Sequence, residues 1–377
     1  MPAETAAAEP LRVRAGAISA LRLFDVSYAI DLALLEKLWR DTARPASTRS
    51  RLSTTPAKAI AFDVPPVLLA LGTVELKLKS GTVAATASAR CSDFGVIALA
   101  LRVPAAERSW GEFNALMTEV DQAVGPNASI DLWSALLQPL CEQFRAVFVR
   151  PGSSLLQEDY LIGIVQQWNR PMSAAAVREQ VDLAALLSGE QRPLSEASRR
   201  ELLSESYSYY EDDLVVLTWD RAFIYEPRQD TDVADVLEVA NAQLLEQRYY
   251  DELLDDELPR MYDLVEQTRR ARYWLAPRRY AHLARRLHML VAEVTELTEK
   301  VDNALQVTED VYLARVYAAA LDTLRVHKIG AAVDRKLAII RDTYAALYDE
   351  ASSSRGELME LTIVLLIVLE LILALLR

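Results

Sequence analysis

The last seventeen residues, LTIVLLIVLELILALLR (361–377), constrain this chain more than any other stretch. From Leu361 to Leu376 the only charged side chain is Glu370. As a helix those residues would rise roughly 24 Å, and adding Leu358 and Met359 brings the length near the ~30 Å of a bilayer's hydrocarbon core. A helix apolar on every side needs apolar surroundings on every side. A buried core helix would have to be enclosed by its own chain, and an oligomerisation helix would keep a polar face that TIVLLIVL lacks. The expectation is one C-terminal membrane span carrying Leu358, Leu361, Ile363, Leu365, Ile367, Glu370, Ile372 and Leu376. Glu370 would then sit near the far interface, be protonated, or face a second copy, with Arg377 reaching the far headgroups.

The rest of the chain can build a core of its own. It has 377 residues, 51% of them hydrophobic, and a formal net charge of -13, which opposes free DNA as a whole-molecule partner. Cys91 and Cys141 lie in no CxxC pattern and read as two reduced, buried thiols. Residues 1–10 carry Glu4 and Glu9 without an apolar run, so they read as a disordered leader rather than a secretory signal.

Residues 11–226 read as an α+β domain with a mixed β-sheet. AISALRLFDV (17–26) has strand character, followed by a helix that Asp31 would N-cap and that Leu32, Leu35 and Leu38 line on one face. PVLLALGTVELKL, GTVAATASAR and FGVIALALRVP follow as strands parted by turn residues. SWGEFNALMTEV and SIDLWSALLQPLCEQF read as helices, the first opened by a Ser109 and Glu112 capping box. AVFV, YLIGIVQQW and DLVVLTWDRAFIYEP add strands, the last a hairpin around Trp219 and Asp220.

Residues 227–357 change character to long helices. Leu283, Leu287, Leu290, Val294, Leu297, Val301 and Leu305 step by three and four, as do Ile329, Val333, Leu337, Ile340, Tyr344 and Leu347. They predict an antiparallel, coiled-coil-like hairpin turning at Val307 to Asp310, with Thr308 as N-cap of the second arm. Residues 358–377 form the anchor. Lys336, Arg341 and Arg355 precede it and Arg377 follows it, so the positive-inside bias places the large N-terminal part on the cytoplasmic side.

No catalytic motif is present. The eleven glycines are too far apart for a GxGxxG or Walker loop, and His282, His288 and His327 form no metal-binding pair. No protein-built metal site and no cofactor are therefore expected. The acids at 211–213 and 251–257 could hold a divalent ion for a hydrolase, although such runs are more often solvated faces. The segment RRARYWLAPRRYAHLARRLHML places Arg269, Arg270, Arg272, Arg278, Arg279, Arg285 and Arg286 among Tyr273, Trp274 and Tyr280. That composition suits RNA, a ribosome, anionic headgroups or an acidic protein surface; in the plainer reading the arginines pair with the acids at 251–257 or with facing helix residues.

Three stretches, EVANAQLLEQRYYDELLDDELPRMYDLV (238–265), TEDVYLARVYAAALDTLRVHKIGAAVDRKLAIIRDTY (308–344) and RGELMELTIVLLIVLELILALL (355–376), resemble the required-for-meiotic-nuclear-division family, domain of unknown function 155. The resemblance covers residues 200–377. It implies a membrane-anchored, non-enzymatic protein, in that family one supporting mitochondrial translation. The expected function is thus a membrane-anchored scaffold that self-assembles as a homo-oligomer through its helical half, with tethering of RNA or a ribosome as the alternative and a metal-dependent hydrolase as the third reading.

Overall fold

The computed structural model describes residues 10–42, 47–49, 60–62, 64–128, 131–152, 156–190, 192–228, 232–269, 276–302, 305–307 and 310–375. The chain forms two compact units, one of residues 1–246 with 300–326, the other of 247–299 with 327–377.

The first unit is α+β. Its main strands are β1 (Arg12–Asp25), β2 (Val67–Leu78), β3 (Gly81–Cys91), β4 (Val96–Pro104), β5 (Gln157–Trp168), β6 (Leu214–Leu217) and β7 (Arg221–Tyr225). They lie in the order β6-β7-β5-β1-β4-β3-β2, with Ser206–Tyr207 outside β6 and Thr48–Arg49 outside β2. β5 and β7 run parallel, since the chain crosses over through short helices at Ala174–Gln180, Leu183–Ser188 and Glu196–Leu202 before returning. The other pairs along this path are antiparallel, and β6 and β7 make the expected hairpin.

Two-residue periodicity gives the sheet two unlike faces. On one, Ala85, Ala87, Ala89 and Cys91 of β3 and Ile97, Leu99, Leu101 and Val103 of β4 join a core with the helices α1 (Leu32–Arg40), α2 (Trp110–Val124) and α3 (Leu132–Gln143). Phe113, Leu116, Met117 and Val120 bring α2 onto it. The predicted caps form: Asp31 accepts from the Leu34 N–H at 2.9 Å, and Ser109 and Glu112 close their box. Cys91 and Cys141 are free thiols, Cys91 fully inside.

The opposite face carries Ser19, Ser88, Arg90, Ala98, Ala100 and Arg102 beside Ala234, Asp235 and Glu238, the last three from the start of α4 (Asp232–Arg269). Gln243 of α4 donates to the Val301 carbonyl at 2.9 Å and accepts from the Tyr317 hydroxyl at 2.7 Å. Those contacts join α4 to the end of α5 (Ala276–Asp302) and to α6 (Val311–Thr323).

The second unit is helical. Leu283, Leu287 and Val294 of α5, and Val333, Ile340 and Leu347 of α7 (Val326–Leu375), are buried, as the stripes predicted. Tyr250, Leu254 and Met261 of α4 are buried as well, so among the described residues this unit has three helices rather than a two-helix hairpin. Gln247 lies near Gly330, Lys336 bonds Asp251, and His288 packs on Tyr344 with ring centroids 5.4 Å apart.

Several expectations need correction. The turn at Val307 to Asp310 is not a simple reversal, because Leu305–Val307 pairs with Ile60–Phe62 and α6 precedes the second arm. Asp310, not Thr308, caps α6, accepting from the N–H groups of Tyr312 and Leu313 at 3.0 and 2.9 Å; Thr308 lies outside the described residues. Arg325, with φ of 56°, breaks α6 from α7.

The predicted C-terminal transmembrane helix is also overturned. Among the described residues, no helix is long and apolar enough to cross a membrane. The tail anchor, the membrane as a partner, the single-pass localisation and the cytoplasmic orientation derived from flanking charges therefore lose their basis.

Candidate functional site

In the second unit, the end of α7 is the feature that most requires explanation. Ile363, Val364, Leu365, Leu366, Ile367, Val368, Leu369, Leu371, Ile372 and Leu373 are each between 48% and 62% exposed, and Glu370 is exposed among them. Consecutive positions point all around a helix, so this is an apolar cylinder rather than a stripe. Leu358 and Leu361 lie on the same helix without described side chains, and Leu376 lies outside the described residues.

The arginine segment is only partly visible. Arg270 and Arg272 fall outside the described residues, and the side chains of Arg269, Arg278 and Arg279 are not described. Arg285 and Arg286 are exposed on α5. Arg286 contacts Glu257 at 3.0 Å, and Arg260 holds the same carboxylate at 2.8 Å, so the acids of 251–257 do claim part of this charge.

The two acidic runs are engaged as well. Lys336 Nζ lies 2.6 Å from both Asp251 Oδ1 and Asp255 Oδ1. Burial acts to lower the Lys336 pKa, but hydrogen bonds to the two acids outweigh it and leave the ammonium above its usual range. In the first unit, buried Asp213 accepts from the Tyr209 and Tyr210 N–H groups at 2.7 and 3.1 Å. Among the described residues no three His, Cys, Asp or Glu side chains are placed to hold a metal ion.

Sequence reasoning missed the charged cluster at the start of α4. Asp235 and Glu238, one helical turn apart, share a face. They meet Arg90 of β3, whose Nη2 lies 2.5 Å from Asp235 Oδ1 and whose Nε lies 3.0 Å from Glu238 Oε1. Burial pushes the Glu238 carboxyl up to about 7, against the pull of Arg90 and with the repulsion of Asp235. The available signal was a lone Arg ending the small-residue run GTVAATASAR, on the face opposite Ala89 and Cys91.

The class of protein so defined is a mixed-sheet α+β unit with one apolar and one polar face, followed by a helical unit ending in an exposed apolar helix. A family model described as "Uncharacterized protein MJ0711, N-terminal domain" matches residues 15–231, and the chain belongs to that family. A relative, "Uncharacterized protein MJ0711" of Methanocaldococcus jannaschii, is 26% identical over 219 residues, covering 58% of this chain and 66% of that protein, slightly under two thirds of its length. No solved structure matches the chain. These matches replace the required-for-meiotic-nuclear-division resemblance, which they do not support. The repeated Leu, Ile and Val of long helices recur in unrelated proteins and carried that resemblance. The family match ends at the threshold of α4, so the helical half lies outside it.

Proposed function

We propose that the protein is a non-enzymatic scaffold that self-assembles through its helical half, with the end of α7 as the joining element. The observation that supports this is the exposed run from Ile363 to Leu373. Monomeric soluble proteins rarely leave a contiguous apolar surface of this kind uncovered. Burying the exposed half of each aliphatic side chain is worth roughly 1 kcal/mol. Because the apolar surface surrounds the helix, one partner groove would leave much of it in water. A bundle of identical helices encloses each copy. The test is the mass in solution of the full chain against Leu365→Glu with Ile372→Glu. A defined multimer in the parent and monomer in the double variant is the expected result, whereas a monomeric parent defeats the reading.

A second reading, tethering of RNA through the 269–286 arginines, draws on Arg285, which is exposed and makes no ion pair among the described residues. It predicts RNA binding that weakens steeply with salt and is lost when Arg278, Arg279, Arg285 and Arg286 become Glu. Binding that ignores salt would dismiss it.

A further inference from the structure

The polar face of the sheet in the first unit is hollowed into a cleft of about 370 Å³, within the range of small-molecule sites. The hollow follows from residue size. Ser19 stands opposite Arg102 on the neighbouring strand, Ala100 opposite Ser88, and Ala98 opposite Arg90. Serine and alanine leave the middle of the sheet low between two long arginines. Leu68, Ile162 and Ile164 give it apolar walls.

The arginines of this cleft are unevenly paired: Glu36 takes one, Asp235 and Glu238 converge on a second, and among the described residues none meets the third. Arg49 is held by Glu36 through two hydrogen bonds of 2.9 Å. Arg90 is taken by Asp235 and Glu238, yet its buried Nη1 finds no acceptor among the described residues. The Arg102 side chain makes no hydrogen bond or ion pair among the described residues. Its guanidinium is held below the usual arginine range by burial alone, with no acid to offset it. A half-buried, unpaired guanidinium is costly, and arginine's planar fork of donors fits a carboxylate or a phosphate.

We propose that this cleft binds a small organic molecule through a carboxylate or phosphate group, with Arg102 as the anchor, Ser19 and Ser88 as flanking donors, and Ile162 and Ile164 against the ligand's apolar part. Arg90 has another task, holding α4 over the cleft's edge through Asp235 and Glu238. The two carboxylates also screen that end, so the anion is directed to Arg102.

The test uses the full chain and two probes, benzoate and phenyl phosphate, titrated by calorimetry at fixed ionic strength with chloride as the reference anion. At least one probe is expected to bind saturably at one site per chain. Losing a charged hydrogen-bond pair should weaken it about tenfold or more in Arg102→Gln, with Arg102→Lys, which keeps the charge and loses the fork, in between. Binding of benzoate alone marks a carboxylate site; binding of phenyl phosphate alone marks a phosphate site. Absence of saturable binding by both probes, or unchanged affinity in Arg102→Gln or in Arg102→Lys where only that variant folds, overturns the proposal. Arg102→Gln should also raise the melting temperature of the unliganded protein, because a residue kept for binding costs stability.

Discussion

Arg90 Nη2 lies 2.5 Å from Asp235 Oδ1, an ion pair between residues 145 positions apart that fastens β3 to the first turns of α4. Both side chains are 11% exposed. Replacing Arg90 with Met would leave the buried Asp235 carboxylate without a countercharge, which costs about 3–5 kcal/mol in comparable sites. Urea unfolding of the first unit's transition should show that loss. Asp235→Asn, which keeps a hydrogen-bond acceptor, should cost less.

The same cluster gives stability a pH dependence. The Glu238 carboxyl, ordinarily near 4.5, is pushed up to about 7 in the folded chain by burial. Between those values the folded state holds a proton that the unfolded state has released, so stability falls as pH rises from about 4.5 to about 7 and levels off above. Asp25, pushed up to about 6 by burial, adds a loss of the same sign at lower pH. Glu238→Gln should flatten the upper part of the profile and leave the Asp25 part in place. A variant whose stability still declines with the parental slope between pH 6 and 7 would show that another group carries it.

What the sequence disclosed depended on whether the cause was local. Caps at Asp31 and Ser109 need only a side chain and an N–H three residues away, and they were legible, as were strands with strict alternation and the buried stripes of α5 and α7. The three-helix character of the second unit was not, because Tyr250, Leu254 and Met261 lie in a helix whose periodicity is crowded by charged residues. Arg90 and Arg102 escaped notice for a different reason. Their roles arise from where α4 lands on the sheet, with Asp235 meeting Arg90 from 145 positions away, and no local pattern encodes that meeting. The α7 tail was legible as a helix apolar on every side, but apolar composition alone could not say what covers it.

Lys336 bridges Asp251 and Asp255 between two helices of the second unit, with its own side chain 18% exposed and Asp255 62% exposed. Solvent screening at Asp255 limits the bridge, so Lys336→Met should cost about 1 kcal/mol or less. Most of that should vanish in Asp251→Asn, whose carboxylate is the less exposed of the two, and adding salt should shrink the difference. A cost of several kcal/mol, insensitive to salt, would mean that the packing of the lysine stem matters more than its charge.

Gly95 and Gly111 should answer alanine with opposite signs. Gly95, in the turn from β3 to β4, has φ of +99°, and a Cβ there would stand 1.7 Å from the Ser27 carbonyl oxygen. Its own carbonyl accepts from the Val26 N–H at 3.1 Å, so neither backbone can withdraw without breaking the join between that turn and the end of β1. Gly95→Ala is therefore expected to cost more than about 3 kcal/mol, combining strain with a lost hydrogen bond. Gly111 stands in the first turn of α2, where a Cβ would meet nothing within 4 Å. Alanine there restricts the unfolded chain without a clash and should stabilise by about 0.5–1 kcal/mol. Melting temperatures of the two variants measured side by side would test the pair, and a Gly95→Ala protein as stable as the parent would mean that the turn relaxes into another geometry.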